Sequence, residues 1–141
     1  RSTLFPYTTL FRSPAGTMDT ASSINRMVDV FPAHQQGQIR AQLSLTLQAI
    51  LCQQLMPHIS GKGMVLATEI VMMNAAMRNI VREMKTEQIY SQIQMGNKYG
   101  MQTMNQSIAD NVLKKRISKE TAFEYTTNKE ELERLIAAGG R

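Results

Sequence analysis

The sequence contains no tryptophan, one cysteine and few aromatic residues, which make up 6% of the chain. A single thiol, that of Cys52, cannot close an intramolecular disulfide, so the disulfide-stapled scaffolds of small secreted proteins are excluded. Long apolar runs are missing too: the densest, from Ile70 to Met73, is stopped by Asn74, whereas a membrane-spanning helix needs roughly 20 apolar residues. The short apolar runs therefore predict no transmembrane segment. The single cysteine, the eleven methionines and the lack of tryptophan favour a reducing, cytoplasmic compartment.

The stretch 1–13, RSTLFPYTTLFRS, differs in composition from the rest of the chain. It could form a β-hairpin or a membrane-surface anchor, since it carries Arg1 and Arg12 and no acid. However, in-frame translation of an adapter used in short-read DNA library preparation gives the same residues in the same order. We therefore interpret 1–13 as a translated adapter artefact and argue the fold from Pro14 onward. Without the two arginines the formal charge falls from +5 to +3, which is too mild to indicate nucleic-acid binding.

Two amphipathic helices are predicted at the start of the remaining chain. Asp19 or Thr20 can cap the first helix, and Pro32 must end it. Its apolar face has the spacing i, i+3, i+4 and i+7 and is formed by Ile24, Met27, Val28 and Phe31. After the polar loop AHQQG, a second apolar stripe predicts a helix over about Gln38 to Ala49. The residues of this stripe are Ile39, Leu43, Leu47 and Ile50.

Two antiparallel strands are predicted next. The segments LCQQLMP and MVLATEIVMM are rich in apolar and β-branched residues, and the turn sequence HISGKG separates them. Glu69 lies inside the second strand, where full burial of its charge would be costly. We expect its carboxylate either on a solvated face or next to a cation.

The rest of the chain is predicted to be helical. Asn74 can cap a helix, and Thr86 can start another that Gly96 closes. A further helix carries three apolar residues in register, Met104, Ile108 and Val112. Two short helices follow, and their predicted signals are caps at Ser118 and Asn128, a capping-box glutamate at Glu131 and an end at Gly139-Gly140. The carboxyl-terminal half is therefore predicted to be a small helical bundle.

Nucleotide-loop and metal motifs are weak in this sequence. The pattern G-x-x-x-x-G-K-[ST] around SGKG would need glycine where the chain has Met56, and serine or threonine where it has Gly63. A hairpin turn fits this stretch better. His34 and His58 lie in different predicted loops, and Cys52 has no partner at metal-ligand spacing. We predict no metal site and interpret Cys52 as a small core residue.

Two clusters of basic residues need an explanation. Lys114-Lys115-Arg116 is predicted in the last turn of a helix, where cations complement the dipole, and no aromatic residues interleave it. Arg78 and Arg82, in NAAMRNIVREMK, stand four apart on one side of a helix and repel mildly. Either an anionic partner favours that pair, or Glu83 and other acids neutralise it.

The stretch AAMRNIVRE resembles the AIRNLIRE motif of the type IV pilus retraction ATPases, the motors of twitching motility. The similarity covers nearly all of 17–127 in order and spacing. The other segments that carry it are INRMVDVFPAHQQGQIRAQLS, LQAILCQQLMP, VLATEIVM and YGMQTMNQSI.

The resemblance implies an α/β protein, the carboxyl-terminal part of a RecA-like P-loop secretion ATPase that is here mostly α with one antiparallel β-hairpin. It assigns 14–73 to the end of the ATPase core and 74–141 to a carboxyl-terminal helical bundle. The parent would be a cytoplasmic homo-hexamer at the inner-membrane base of the pilus machine, using ATP and Mg²⁺ to withdraw pilin through a membrane platform, without nucleic acid.

The family's phosphate loop, Walker B acid and Asp box have no counterpart in this chain. Its His box, which ends in Leu-His-Thr, should fall at 15–17, where the chain has Ala15, Gly16 and Thr17. Thr17 is therefore the one expected nucleotide-proximal residue. The resemblance implies no catalytic residue, no metal ligand and no bound cofactor in this chain alone, which should be inactive by itself.

The motif residues that carry over by resemblance are Arg78, Asn79, Arg82 and Glu83. In the family this motif is tied to retraction, so the resemblance implies a coupling and interface element. An extension ATPase or a type II secretion ATPase of the same superfamily is the near alternative. A different class of function, a stand-alone helical module, would dock acidic or nucleic-acid surfaces through Arg78, Arg82 and 114–116.

Overall fold

A computed structural model describes residues 19–139 of the chain. The elements, in chain order, are α1 (Thr20–Asp29), α2 (Ala33–Thr46), β1 (Ala49–Pro57), β2 (Met64–Met72), α3 (Ala75–Glu83), α4 (Ile89–Met95), α5 (Met104–Leu113), α6 (Lys119–Tyr125) and α7 (Lys129–Ala137). Short 3₁₀ turns at Thr86–Gln88 and Asn97–Tyr99 flank α4. The proposed adapter artefact at 1–13 and the His-box positions at 15–17 lie outside the described residues.

The predicted fold class is confirmed: the described chain is mostly helical with one antiparallel two-stranded sheet. None of its described helices combines the length and the hydrophobicity that crossing a bilayer requires. The division of the chain into units at 73 and 74 stays a prediction.

Helix α1 forms as predicted at its start and ends slightly early. The Asp19 side chain accepts a hydrogen bond from the Ser22 backbone N–H at 2.7 Å, which satisfies one of the donors left free at a helix start. Ile24 and Val28 are fully buried. Phe31 was predicted on the same face, but it lies beyond the helix end and is exposed.

Helix α2 differs from its prediction at both ends. The predicted loop AHQQG is helical, because Pro32 takes the cap position with a φ of −56°, already suited to a helix, and alanine and glutamine continue it well. The helix ends at Thr46 because Leu47 turns extended, and Ala49 belongs to β1. Leu43 and Leu47 still pack against the core. The apolar stripe therefore predicts correctly which side of the chain is buried, but its residues do not all belong to one helix.

Strands β1 and β2 form the predicted hairpin, with Leu55 opposite Leu66. Its tip contains Gly61 and Gly63, whose φ values of 72° and 79° favour glycine. This supports the hairpin-turn interpretation of SGKG. Alternate residues of the hairpin point inward and are buried, and these are Cys52, Met56, Val65, Ala67, Glu69 and Val71.

The inner face of the hairpin contributes to two buried apolar clusters. The first joins α1, α3 and α4 around Ile24, Met77 and Ile93. The second joins the hairpin to α5, α6 and α7 around Met56, Ile108 and Leu132. The hairpin therefore links the helices that precede it to the bundle that follows.

The caps of the later helices follow the prediction closely. The side chains of Asn74, Ser118 and Asn128 each accept a backbone N–H of the first turn. Thr103 adds a complete capping box with Gln106 that was not predicted. The capping box at Glu131 is half formed, because its N–H bonds to Asn128 while its carboxylate turns to other helices.

The basic cluster at 114–116 lies just past α5 rather than in its last turn. The helix ends at Leu113, and Lys115 has the left-handed φ of 56° that stops it. The Lys114 ammonium pairs with Asp110 at 2.7 Å. All three basic residues are exposed, so their charges are largely solvated.

Candidate functional site

The motif helix α3 is held by a cap and by one apolar face. The Asn74 side chain accepts from the Met77 N–H at 2.9 Å, and Met77, Ile80 and Val81 are buried in the first cluster. Met84 ends the helix in the left-handed conformation, with a φ of 58°. The motif residues Arg78, Asn79, Arg82 and Glu83 therefore project from a fixed helix.

Arg78 turns toward its own chain. Its guanidinium donates to the backbone carbonyls of Ser44 at 2.6 Å and Leu45 at 3.0 Å, in the last turn of α2. These carbonyls have no partner within the helix and carry the negative end of its dipole. Arg78 thus ties α3 to the end of α2.

Asn79 and Arg82 face outward from the same helix. Both are exposed, and the Arg82 guanidinium donates to the amide oxygen of Asn79 one turn earlier. Among the described residues Arg82 forms no ion pair with a carboxylate. It presents an exposed cation with a neighbouring amide.

Glu83 pairs with Lys85 rather than with either arginine. Their charged atoms are 2.6 Å apart, and both side chains are exposed. The hydrogen bond and the charge of Lys85 lower the pKa of Glu83. The two arginines therefore have different partners, and they do not act as one anion-binding pair in this structure.

Glu69 corrects a prediction, because its carboxylate is neither solvated nor next to a cation. Its side chain is 2% exposed, and Oε1 accepts a hydrogen bond of 2.8 Å from the backbone N–H of Thr20. Thr20 is the first residue of α1, where the helix dipole is positive. The end of a helix therefore takes the place of the expected cation.

Cys52 behaves as the predicted core residue. It is buried in β1, and its sulfur lies 3.9 Å from the hydroxyls of Thr20 and Ser23. Burial raises the pKa of the thiol, which disfavours the reactive thiolate.

Native Cys52 is expected to react with iodoacetamide at pH 8 on the order of 100-fold more slowly than in urea-unfolded chain, because alkylation needs local opening. Mass spectrometry of quenched samples measures this ratio. Free cysteine at the same pH and urea concentration is the control. Equal rates for native and unfolded chain would contradict the burial.

A second buried acid, Glu131, joins three helices. Its carboxylate accepts hydrogen bonds from Gln94 at 2.8 Å, from Asn105 at 2.6 Å and from the Tyr90 hydroxyl. Burial, and then the bond to Glu131, raise the pKa of Tyr90. Nothing in the sequence pattern beyond the capping position pointed to this network.

The network borders a cleft of about 390 Å³ between the start of α1, α4 and the loop before α7. The carboxylates that line it are Asp19, Glu69, Glu87 and Glu131. Three of them already accept hydrogen bonds from the protein: Asp19 from Ser22, Glu69 from Thr20, and Glu131 from its three donors.

The two histidines lie apart. His34 is on α2, where it was predicted in a loop, and His58 is at the hairpin tip with Nδ1 2.8 Å from the Ser60 hydroxyl. Within residues 19–139 no group of three potential metal ligands occurs. In the described residues, hydrogen bonds of Arg78 and Glu69 hold helices in place, and Arg82 is exposed on α3. This arrangement suits a role in positioning helices and in contacting another protein surface.

No family model matches the sequence. Individual relatives do. The chain is 44% identical over 108 residues to the type IV pilus retraction ATPase PilT of Pseudomonas aeruginosa, a match that covers 77% of this chain and 31% of PilT. It is 40% identical over 120 residues to a twitching motility protein of Neisseria gonorrhoeae, covering 83% of this chain and 32% of that protein.

The structure is also similar to a solved one, the crystal structure of the pilus retraction motor PilT with bound ADP. The TM-score is 0.70 at 43% identity, and the match covers 82% of this chain and 32% of that one. This chain therefore spans about a third of the length of the relatives it matches. From these matches in sequence and in structure, the chain belongs to the PilT family of type IV pilus retraction ATPases.

Proposed function

We propose that this chain is the carboxyl-terminal part of a pilus retraction motor and that its α3 motif couples the ATPase to pilus disassembly. The observation that carries the proposal is that the two arginines of α3 have different environments. Arg78 is bound inside the chain, while Arg82 and Asn79 are exposed next to it.

The tethers of α3 explain how such a coupling element would work. Arg78 fixes α3 to the end of α2. A short loop, residues 30–32, joins α2 to α1. Glu69, six residues before the start of α3, holds the first residue of α1. A displacement of any of these elements is therefore passed to the exposed side of α3, where Arg82 would contact a neighbouring subunit or the membrane platform.

The chemistry of ATP hydrolysis would come from the rest of the parent protein. Phosphoryl transfer needs a phosphate loop with its lysine, and a Ser/Thr and an acid for Mg²⁺, and these motifs are not in this sequence. The solved relative binds ADP, which supports a nucleotide-binding parent. A homo-hexamer in the cytoplasm, at the inner-membrane base of the pilus machine, remains part of the proposal, as does Thr17 near the nucleotide.

The test uses a hybrid, defined as Pseudomonas aeruginosa PilT in which residues 19–139 of this chain replace the matching third. Arg82→Ala in the hybrid should abolish twitching while the ATPase rate stays within about twofold, because an exposed side chain contributes little to the fold. Twitching zones and ATP turnover of the purified hybrid measure the two effects.

The controls compare other arginines. Arg26→Ala removes an exposed arginine of α1 and should leave both readouts unchanged. Arg78→Ala should lower the free energy of unfolding by about 1 to 2 kcal/mol, since it loses charged hydrogen bonds to α2, whereas Arg82→Ala should change it by less than about 0.5 kcal/mol. Normal twitching of the Arg82→Ala hybrid would refute the coupling role.

A further inference from the structure

The tip of the β1–β2 hairpin and the turn that follows α5 form one exposed surface, which we call the basic tip. It consists of Ile59, Lys62, Leu113, Lys115 and Arg116, all of which are exposed. The Ile59 backbone N–H donates to the Arg116 carbonyl at 2.8 Å. The two segments are therefore in direct contact, although they are distant in the sequence.

The packing of α5 on the hairpin fixes the position of the basic tip. The Asn111 side chain of α5 donates to the Leu66 carbonyl of β2 at 3.0 Å. Lys115 then takes the left-handed φ of 56°, and the Arg116 N–H donates to the Asn111 carbonyl at 2.9 Å. The backbone that carries these cations is therefore held in one place relative to the hairpin.

Three positive charges of the basic tip are unpaired. Lys114, next to them, pairs with Asp110 at 2.7 Å. In the part of the chain that the structure describes, Lys62, Lys115 and Arg116 form no ion pair with a carboxylate. The end of α5 contributes only about half a negative charge through the helix dipole. The surface therefore remains positive and suits an anionic partner.

Two large apolar side chains share the surface with these cations. Ile59 is 56% exposed and Leu113 is 40% exposed. Basic residues around exposed apolar ones are typical of surfaces that bind anionic membranes, where the cations meet the headgroups and the apolar side chains enter the interface. Single-stranded nucleic acid is usually bound with aromatic residues, and the basic tip has none. Two copies of the chain would repel each other here, because both surfaces are positive.

We propose that the basic tip is a membrane-contact surface that binds the headgroups of anionic phospholipids. Its three unpaired cations are attracted to the headgroup phosphates, while Ile59 and Leu113 enter the interfacial region. One lysine or arginine near an anionic membrane strengthens binding about fivefold, so three together contribute on the order of 100-fold. This contact is additional to the coupling role of α3 and does not depend on Arg82.

The test measures binding of the purified hybrid to vesicles by co-sedimentation. The hybrid is used because it lacks residues 1–13, which carry two arginines of their own. Lys62→Gln, Lys115→Gln and Arg116→Gln together should weaken binding to vesicles of phosphatidylglycerol and phosphatidylcholine on the order of 100-fold. Vesicles of phosphatidylcholine alone should bind far less hybrid. Raising the salt from about 0.05 M to about 0.5 M should release it from the anionic vesicles.

A matched control removes three exposed cations that lie elsewhere on the chain. Arg26→Gln, Lys98→Gln and Lys129→Gln make the same change in net charge, and vesicle binding should stay within about twofold because distant charges are screened. Ile59→Ser with Leu113→Ser should weaken binding about fivefold, since less apolar surface enters the interface. Thermal unfolding should show that all variants keep their melting temperature within about 2 °C.

Three outcomes would overturn the proposal. The first is an equal affinity of the glutamine variant of the basic tip and of its control for anionic vesicles. The second is binding to a short DNA duplex or to polyglutamate that is as tight as binding to the vesicles, since the surface would then recognise another acidic macromolecule. The third is a changed oligomeric state of the glutamine variant in sedimentation, since the surface would then join copies of the chain.

The membrane contact can fail or hold independently of the coupling role. Arg82→Ala should leave vesicle binding of the hybrid within about twofold, because Arg82 is on α3 and outside the basic tip. Normal twitching of that variant would refute the coupling role without affecting the vesicle result. Loss of vesicle binding in Arg82→Ala as large as that in the glutamine variant would contradict the assignment of lipid binding to the basic tip.

Discussion

Replacing Glu131 by alanine is expected to lower the free energy of unfolding by about 2 kcal/mol. Its buried carboxylate accepts from Gln94, Asn105 and Tyr90, which belong to two other helices. Alanine would leave these donors without their acceptor, and the buried Asn105 amide carries most of the loss, because an unpaired buried donor costs about 1 to 3 kcal/mol. Tyr90 and Gln94 are exposed and can bond to water instead. Water from the adjoining cleft offsets part of that loss. Urea unfolding followed by circular dichroism measures the change.

Two other variants separate the network from general effects on α7. Glu133→Ala removes an exposed partner of Lys119, 3.3 Å away, and should cost less than about 0.5 kcal/mol. Glu131→Gln keeps the shape but turns one acceptor into a donor, so about half of the alanine effect is expected. Equal stabilities of Glu131→Ala and Glu133→Ala would show that the network does not hold the helices together.

Replacing Glu69 by alanine is expected to cost about 2 to 3 kcal/mol, because the buried N–H of Thr20 loses its acceptor and the start of α1 loses a compensating charge. Glu69→Gln keeps an oxygen near that N–H and should cost about 1 kcal/mol. Amide hydrogen exchange supplies the specific readout. In both variants the Thr20 amide should exchange faster, while the amides of α7 should not.

Glu87→Ala is the matched control, since Glu87 is an exposed acid that lines the same cleft. It should change the free energy of unfolding by less than about 0.5 kcal/mol. It should also leave the hydrogen-exchange rate of the Thr20 amide unchanged. Unchanged protection of the Thr20 amide in Glu69→Ala would mean that the carboxylate does not anchor α1.

The motif helix α3 could be located from the sequence, but the different roles of its two arginines could not. The sequence predicts a helix at α3 and a cap at Asn74, and the structure bears out both. The sequence places Arg78 and Arg82 as equivalent cations one turn apart. They differ because the end of α2 lies against Arg78 and not against Arg82.

The bounds of α2 were also predicted incorrectly, because a contact with another segment decides where the helix ends. The stripe Ile39, Leu43, Leu47 and Ile50 predicted a buried face, and three of its members do pack against the first cluster. Periodicity cannot show that the chain turns extended at Leu47, because Ile50 also fits the inner face of a strand. The pairing of Ile50 with Val71 on β2 decides it, because it places Ile50 in the hairpin.

By itself, the sequence determined several local features of this protein: the caps at Asn74, Ser118 and Asn128, and the hairpin with its tip. Each depends on residues within one turn or one strand pair. Only the tertiary structure decided the partners of Glu69, Arg78 and Glu131, whose contacts join residues 49, 34 and 37 positions apart. A buried charge is stabilised by whichever helix ends and side chains the folded chain brings to it, and no local pattern records that choice.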